Sequence, residues 1–341
     1  MIVNELIDLI FFHTDLDTCI IHNNKYIAKK LVNENSLIKN IGHLDIVKFL
    51  CSLDCVDPSA NDNWAVKWAS ENGYLEVVKF LCSLECVDPS SRDNCAVERA
   101  SLNGHLEVVK FLCSLDCVDP SVGHNGAVRY ASRDGHLEVV KFLCSLDCVD
   151  PSADYNYSVR YASNNGHLEI VKFLCSLDCV DPSANHNWAV RLASYKGHLE
   201  VVKFLCSLDC VDPSARDNCA VRYASFHGRL EVVKFLCSLD CVDPSSGDNR
   251  AIQCASEKGH LEVVKFLCSL DCDPSSGYNY AIIYASRNGQ WEVVKFLCSL
   301  DRVDPSADYN DAIGRAIRYA SANGYLDIVK FLKGLNSVDG S

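Results

Sequence analysis

Cysteine is the residue type here with the most latent chemistry, at 21 of 341 positions, and sixteen of these form eight Cys-x-x-x-Cys pairs. The pairs run from Cys51/Cys55 and Cys82/Cys86 through Cys113/Cys117, Cys144/Cys148, Cys175/Cys179, Cys206/Cys210 and Cys237/Cys241 to Cys268/Cys272. Thiols so paired suggest a metal centre or disulfides. Successive pairs stand 31 residues apart, so equivalent thiols in stacked units would lie roughly 8–10 Å apart. That exceeds the ~7 Å Cα limit for a disulfide. Zinc needs four ligands converging on one point, whereas this pattern spreads two per unit down a ladder. The expectation is small buried apolar side chains in a reducing compartment. Cys95, Cys219 and Cys254 lie outside the ladder, with Cys95 and Cys219 expected as exposed thiols at loop tips.

Two other columns carry titratable groups. His43, His105, His136, His167, His198 and His260 follow a glycine in each copy, and Tyr74, Arg229, Gln290 and Tyr325 take the same slot elsewhere. A metal ladder would not survive those replacements, so a structural role at the helix start is expected. Arg129, Arg160, Arg191, Arg222 and Arg318 form a second column, interrupted by Lys67, Glu98, Gln253 and Ile283. It could pair with nearby acids or line a phosphate-binding stripe. Ser, His and Asp recur with the period instead of converging once, and no Gly-rich phosphate loop or His-Glu metal motif appears. No enzyme, cofactor or metal is expected.

Net charge is −13, a poor start for binding nucleic acid or anionic lipid. The opening Met1-Ile2-Val3-Asn4-Glu5-Leu6-Ile7-Asp8 has acids where a signal peptide needs basic residues, and no apolar run approaches the ~20 residues of a membrane span. A cytoplasmic location is expected.

The elements that position these columns follow from the period. Gly42, Gly73, Gly104, Gly135, Gly166, Gly197, Gly228 and Gly259 open near-identical strings of Gly-His-Leu-Glu-Val-Val-Lys-Phe-Leu-Cys-Ser-Leu-Asp-Cys-Val-Asp-Pro-Ser at a step of 31. A unit this short cannot bury its apolar face alone and must stack on copies of itself. Asn63 and its copies read as the N-cap of a short first helix, and Gly73 as its left-handed C-cap residue. A second helix runs from Leu75 to about Leu84, with Glu76, Lys79 and Ser83 as one wet stripe. Asp57-Pro58-Ser59 and its copies break the chain into a turn. The step falls to 30 where Cys272 meets Asp273 directly, a residue lost from a loop, and rises to 35 around Asp311-Ala312-Ile313-Gly314. Four added residues approximate one helical turn and keep the apolar stripe on the core.

The pattern Ala-x-x-x-Ala-Ser/Ala-x-x-Gly-His-Leu-Glu-Val-Val-Lys-Phe-Leu, over residues 42–335, resembles the ankyrin repeat. The 31-residue form with Cys-Ser-Leu-Asp-Cys is most similar to arrays encoded by giant DNA viruses of amoebae. The resemblance implies an all-α solenoid of about ten stacked helix-turn-helix repeats with short loops. It also implies a concave face of loop tips and first helices that binds a protein partner, here a host protein. The Thr-Pro-Leu-His signature is replaced by residues such as Trp64-Ala65-Val66-Lys67, and the shorter unit implies a tight loop in place of a β-hairpin finger.

Against a nearly constant framework the tips vary. The candidate partner-binding residues are Asn61, Asp62, Trp64, Arg92, Asp93, His124, Asp154, Tyr155, Tyr157, His186, Trp188, Arg216, Asp217, Asp248, Arg250, Tyr278, Tyr280 and Tyr309, with Arg133, Tyr195 and Phe226 ahead of the loop glycine. Tyr, Trp and Arg dominate interface energetics, although tips also drift where nothing constrains them. Trp64 returns as Trp188 and Cys95 as Cys219 four repeats later, the mark of a duplicated block. Residues 1–41 read as a helical cap or a weakly F-box-like module, and residues 336–341 as a tail. The function expected is a monomeric protein-binding scaffold; the alternative is a ubiquitin-ligase substrate receptor acting through the F-box-like segment.

Overall fold

The computed structural model describes residues 44–52, 56–270, 272–300 and 310–338. The module expected over residues 1–41 and the candidate Tyr309 lie outside the described residues. Nineteen helices run through those described, with no strand among them. The first eight are α1 (Leu44–Cys51), α2 (Ala60–Glu71), α3 (Leu75–Cys82), α4 (Ser91–Leu102), α5 (Leu106–Cys113), α6 (Val122–Asp134), α7 (Leu137–Leu143) and α8 (Ala153–Asn165). There follow α9 (Leu168–Cys175), α10 (Ala184–Lys196), α11 (Leu199–Cys206), α12 (Ala215–Phe226), α13 (Leu230–Cys237) and α14 (Ser246–Lys258). The last are α15 (Leu261–Ser269), α16 (Ser276–Arg287), α17 (Trp291–Cys298), α18 (Asn310–Ala322) and α19 (Leu326–Val338).

The chain divides into two compact units, residues 1–154 and 155–341. In the first, the long helices α2, α4 and α6 pack side by side, and the short helices α1, α3, α5 and α7 do likewise. In the second, α10, α12, α14, α16 and α18 form the long layer and α9, α11, α13, α15 and α17 the short one. The solenoid expected from the period is what each unit contains.

Each short helix begins where a left-handed glycine ends the long one. Gly104 has φ +76, and the next N–H, of His105, bonds back to Ala100 O at 2.9 Å, closing the helix end. Val108, Val109 and Leu112 are then fully buried, while Glu107 and Lys110 pair at 2.8 Å on the exposed stripe. The short helix stops at Cys82, not near Leu84 as the pattern suggested. Ser83 ends it, because its Oγ donates to Phe80 O at 2.6 Å and so competes with continuation of the helix. The Asp-Pro-Ser turn is a closed local unit: Asp119 Oδ1 accepts from Ser121 N at 2.9 Å and Ser121 Oγ at 2.6 Å. Such bonds from Ser59 hold the exposed Asp57 carboxyl below its ordinary range.

The histidine column joins repeats. His105 Nε2 lies 3.0 Å from Glu71 O of the preceding repeat, and His198 Nε2 lies 3.0 Å from Asn164 O. Arg229 Nε and Gln290 Nε2 donate to the matching carbonyls of Tyr195 and Glu257 at 3.3 and 3.4 Å. Arginine and glutamine thus replace histidine as donors of the same reach, whereas in the copy with Tyr325 the Arg287 carbonyl accepts from Asn323 Nδ2 at 3.2 Å. Glycine is required beneath the histidine: a Cβ at Gly104 would stand 2.4 Å from His136 Nδ1.

Both slips in the period are absorbed locally. Cys272, immediately before Asp273, is 1% exposed and takes the inward site that Val242 and its equivalents occupy. The inserted Asp311–Gly314 is helical within α18, with Ala312 and Ile313 buried. Helix α19 continues through Val338, past residue 335, because no proline or left-handed glycine stops it.

Leu112→Ala should cost about 2–5 kcal/mol, whereas Lys110→Ala should stay within about 0.5 kcal/mol. Equal shifts of the two in a urea titration would mean that the helix faces are misassigned.

Candidate functional site

The tips of the long helices are built on an unusual backbone. Asn185, His186 and Asn187 have φ of 53, 57 and 59 with ψ of 49, 53 and 41, three consecutive left-handed residues. The same turn recurs at Asn61–Asn63, Arg92–Asn94, Gly123–Asn125, Arg216–Asn218 and Gly247–Asn249. Each non-glycine residue held there costs about 1–2 kcal/mol, so other contacts must hold the turn.

Two such contacts are present. Asn63 does not cap its own helix, as its position suggested; its Oδ1 accepts the backbone N–H of Asp88 in the next repeat at 2.8 Å. Asn94, Asn125, Asn156, Asn187, Asn218 and Asn249 make the same bond to the next Asp-Pro turn at 2.8–3.1 Å. Asparagine suits the place, since it tolerates left-handed φ and carries an acceptor of the right reach.

The arginine column supplies the second contact. Arg160 Nη1 donates to Tyr155 O at 3.3 Å, Arg191 Nη1 to His186 O at 3.2 Å and Arg222 Nη2 to Arg216 O at 3.0 Å. Lys67 and Gln253 reach the tip carbonyls of Asp62 and Asp248 in the same way. Two of the four interruptions, Lys67 and Gln253, thus keep the function of the column, which is to tie down the tip. Pairing with acids occurs in the first unit, where Arg129 lies 3.1 Å from Asp154. The buried, apolar Ile283 and Glu98 are the exceptions; burial pushes the carboxyl of Glu98 up. Its side chain fills the space left by Gly126, where a Cβ would stand 1.9 Å from Glu98 Oε1.

Of the candidate residues, Asn61, Asp62, Arg92, Asp93, His124, Asp154, Tyr155, His186, Arg216, Asp217, Asp248 and Arg250 are exposed. Trp64, Tyr157, Trp188, Tyr280, Arg133, Tyr195 and Phe226 are half-buried. In the first unit Arg92 and Asp62 form an ion pair at 2.5 Å. In the second, Arg160 organises a connected group. Its guanidinium stands 4.1 Å from the Trp188 ring and 5.9 Å from that of Tyr161, and Tyr161 stacks on Tyr157 at 4.0 Å. Arg191 lies between Trp188 and Tyr223, at 5.8 and 5.9 Å. Beside them Tyr195 meets His227 edge-on at 4.1 Å, and Lys258 stands 4.5 Å from Phe226. Tyr155 is 75% exposed above this strip.

Stacked helix pairs tied by glycine turns are what the ankyrin signature describes, and the family model for ankyrin repeats (3 copies) matches residues 35–125, 128–217 and 190–278. The chain belongs to the ankyrin-repeat family. No curated protein matches it. Ankyrin repeats are in general protein-interaction modules, and the layer of long helices and tips is the part of this array that varies from copy to copy. Sequence reasoning overlooked Tyr161 and Tyr223, which complete the ankyrin strip. Their signal was present: each directly follows an arginine of the column.

The thiols divide into two classes. Cys82, Cys113, Cys175 and Cys206 are half-buried, whereas Cys86, Cys117, Cys148, Cys179, Cys210 and Cys241 are exposed. The second column is therefore not part of the seam, because the following Val118 and its equivalents take the inward site. Cys219 is buried, not exposed, and Cys95 is half-buried. No disulfide joins the described cysteines. Burial, with a smaller contribution from Cys148, pushes the Cys113 thiol up to about 12.

Brief alkylation at neutral pH should therefore label Cys117 well before Cys113, since the thiolate is the nucleophile; peptide mapping that found equal labelling would contradict this. Asn187→Ala, which orphans the Asp212 N–H, should cost about 1–3 kcal/mol. Asn187→Asp, which keeps an acceptor, should come close to wild type in the same unfolding experiment.

Proposed function

We propose that the chain is a non-enzymatic scaffold that captures a protein partner on its long helices and tips. The observation that carries this reading is the strip around Arg160. Trp188 lies against the buried Arg160 guanidinium, which also holds the Tyr155 carbonyl; Tyr157 joins them through Tyr161, on which it stacks, and Tyr155 projects into solvent. Rigid aromatics beside arginine are the groups that most often dominate interface energies. The opposite, short-helix layer presents the repeated Glu–Lys pairs, which differ little between copies and so offer no address. Resemblance to the arrays of giant amoebal viruses supports a host protein as partner and the host cytoplasm as setting. The half-buried thiols, protonated and protected by burial, suit a reducing compartment. We propose that the array works as a monomer spanning residues 42–335, with a helical cap before it. A ubiquitin-ligase receptor role rests on residues 1–41, and no described residue favours it.

The triple substitution Tyr155→Ala, Tyr157→Ala, Trp188→Ala should weaken capture of the partner by several kcal/mol, since individual hot spots reach about 2 kcal/mol or more. Glu200→Ala with Lys203→Ala, on the short-helix stripe, should leave it unchanged. Quantitative mass spectrometry of proteins retained on the two immobilised variants reads the result. Retention by the triple variant and loss by the double would move the binding face to the short helices.

A further inference from the structure

The charge of the second unit is unevenly distributed. Over its long helices and tips from 155 to 165, 184 to 196 and 215 to 229, the cations Arg160, Arg191, Lys196, Arg216, Arg222 and Arg229 stand against one acid, Asp217, in a chain whose net charge is −13; Asp154, at the start of the Arg160 helix, is paired with Arg129. Four acids of the same repeats are engaged elsewhere. Asp181 and Asp212 hold Ser183 and Ser214 in their turns, and Glu200 and Glu231 pair with Lys203 and Lys234 on the short helices.

Arg191 is 6% exposed. Among the described residues neither it nor Arg222 meets a carboxylate. The buried Nε of each has no hydrogen-bond partner. A tip carbonyl for each, and aromatic faces beside Arg191, offset part of the cost of burying such a cation; an anion would offset the rest. At the edge of the strip, burial and then the Arg229 and Lys196 charges hold His227 below its ordinary range. Lys196, Arg216 and Arg229 are exposed and accessible to a ligand.

We infer that this strip recognises an extended acidic peptide with carboxylates at every third residue, a conclusion that rests on the scaffold reading above and gives its partner a chemistry. The spacing comes from the stack. Equivalent arginines on adjacent long helices stand about 8–10 Å apart, and an extended chain advances about 3.3 Å per residue. Three residues therefore span one repeat, so acids at i, i+3 and i+6 fall on the Arg160, Arg191 and Arg222 steps. Guanidinium suits carboxylate through paired N–H donors, and Trp188 and Tyr155 accept the apolar residues between. A nucleic acid fits less well, since its charge recurs every ~1.7 Å of duplex and would extend over the acidic remainder of the chain.

The test uses the full chain and two fluorescent ten-residue peptides of identical composition, measured by anisotropy. One carries three glutamates at i, i+3 and i+6, the other the same three in a row. The spaced peptide should bind at least tenfold more tightly. Combined Arg160→Gln, Arg191→Gln and Arg222→Gln should abolish that preference without unfolding the chain, because Gln253 natively makes the same bond to a tip carbonyl, at 2.7 Å. Equal affinity for the two peptides, or unchanged binding by the glutamine variant, overturns the inference. So does a single-stranded oligonucleotide that binds more tightly than the spaced peptide. If the peptides fail while the Tyr155/Tyr157/Trp188 variant still loses its captured protein, the scaffold reading stands and only the acidic chemistry falls. If that variant also retains its captured protein, both fall.

Discussion

Within each unit the described helix pairs are covered by the pairs beside them. Val108, Val109 and Leu112 are fully buried, yet a short helix of eight residues cannot bury them against its own long helix alone. Their cover comes from the equivalent residues of adjacent copies, so stability belongs to interfaces as much as to repeats. The rest of the structure serves this stacking. The loop glycines admit the side chain of the next repeat, the column of His, Arg and Gln reaches back to the previous long helix, and the asparagines from Asn63 to Asn249 reach forward to the next turn. An apolar seam alone would allow neighbouring pairs to slide. These polar ties, made at the same places in successive copies, set the register.

The tip illustrates how the array separates what is constant from what varies. Three left-handed residues in succession are unfavourable for ordinary side chains. The turn persists because asparagine anchors its third residue and, in the copies whose column residue can donate, that donor anchors the first or second. Once anchored through the backbone and one constant side chain, the first two positions can carry Arg, Asp, His, Tyr or Gly. Variation at Tyr155, His186 and Arg216 therefore does not disturb the stack. A recognition surface can change there without loss of fold, and the strain of the turn is offset by bonds that do not involve the variable groups.

The period, the helix pairs, the wet stripe and the glycine turns were legible in the sequence because each depends on local spacing. The asparagine column was legible as a constant feature but not in its role. Its partner lies 25 residues on, and a cap and a cross-repeat tie look alike in one dimension. The cysteine columns fail for a similar reason. Cys113 and Cys117 sit four residues apart, but the helix ends between them, so one is half-buried and the other exposed. At the tips, residue type identified Tyr155 and Trp188 as candidates, while Tyr161 and Tyr223, each next to an arginine of the column, were recognised by their contacts with the buried Arg160 and Arg191.

By itself, then, the sequence determined the architecture: a 31-residue unit with one apolar face has no stable solution except stacking on its own kind, and its breaks and glycines place the helix ends. Tertiary structure alone decided which polar groups face each other across repeats. Those distances arise from stacking, which brings residues 25 to 35 positions apart to within hydrogen-bond reach, and no local periodicity encodes them. That is why Arg160 and Arg191, read along the chain as members of a column, become the floor of an aromatic strip only in the folded array.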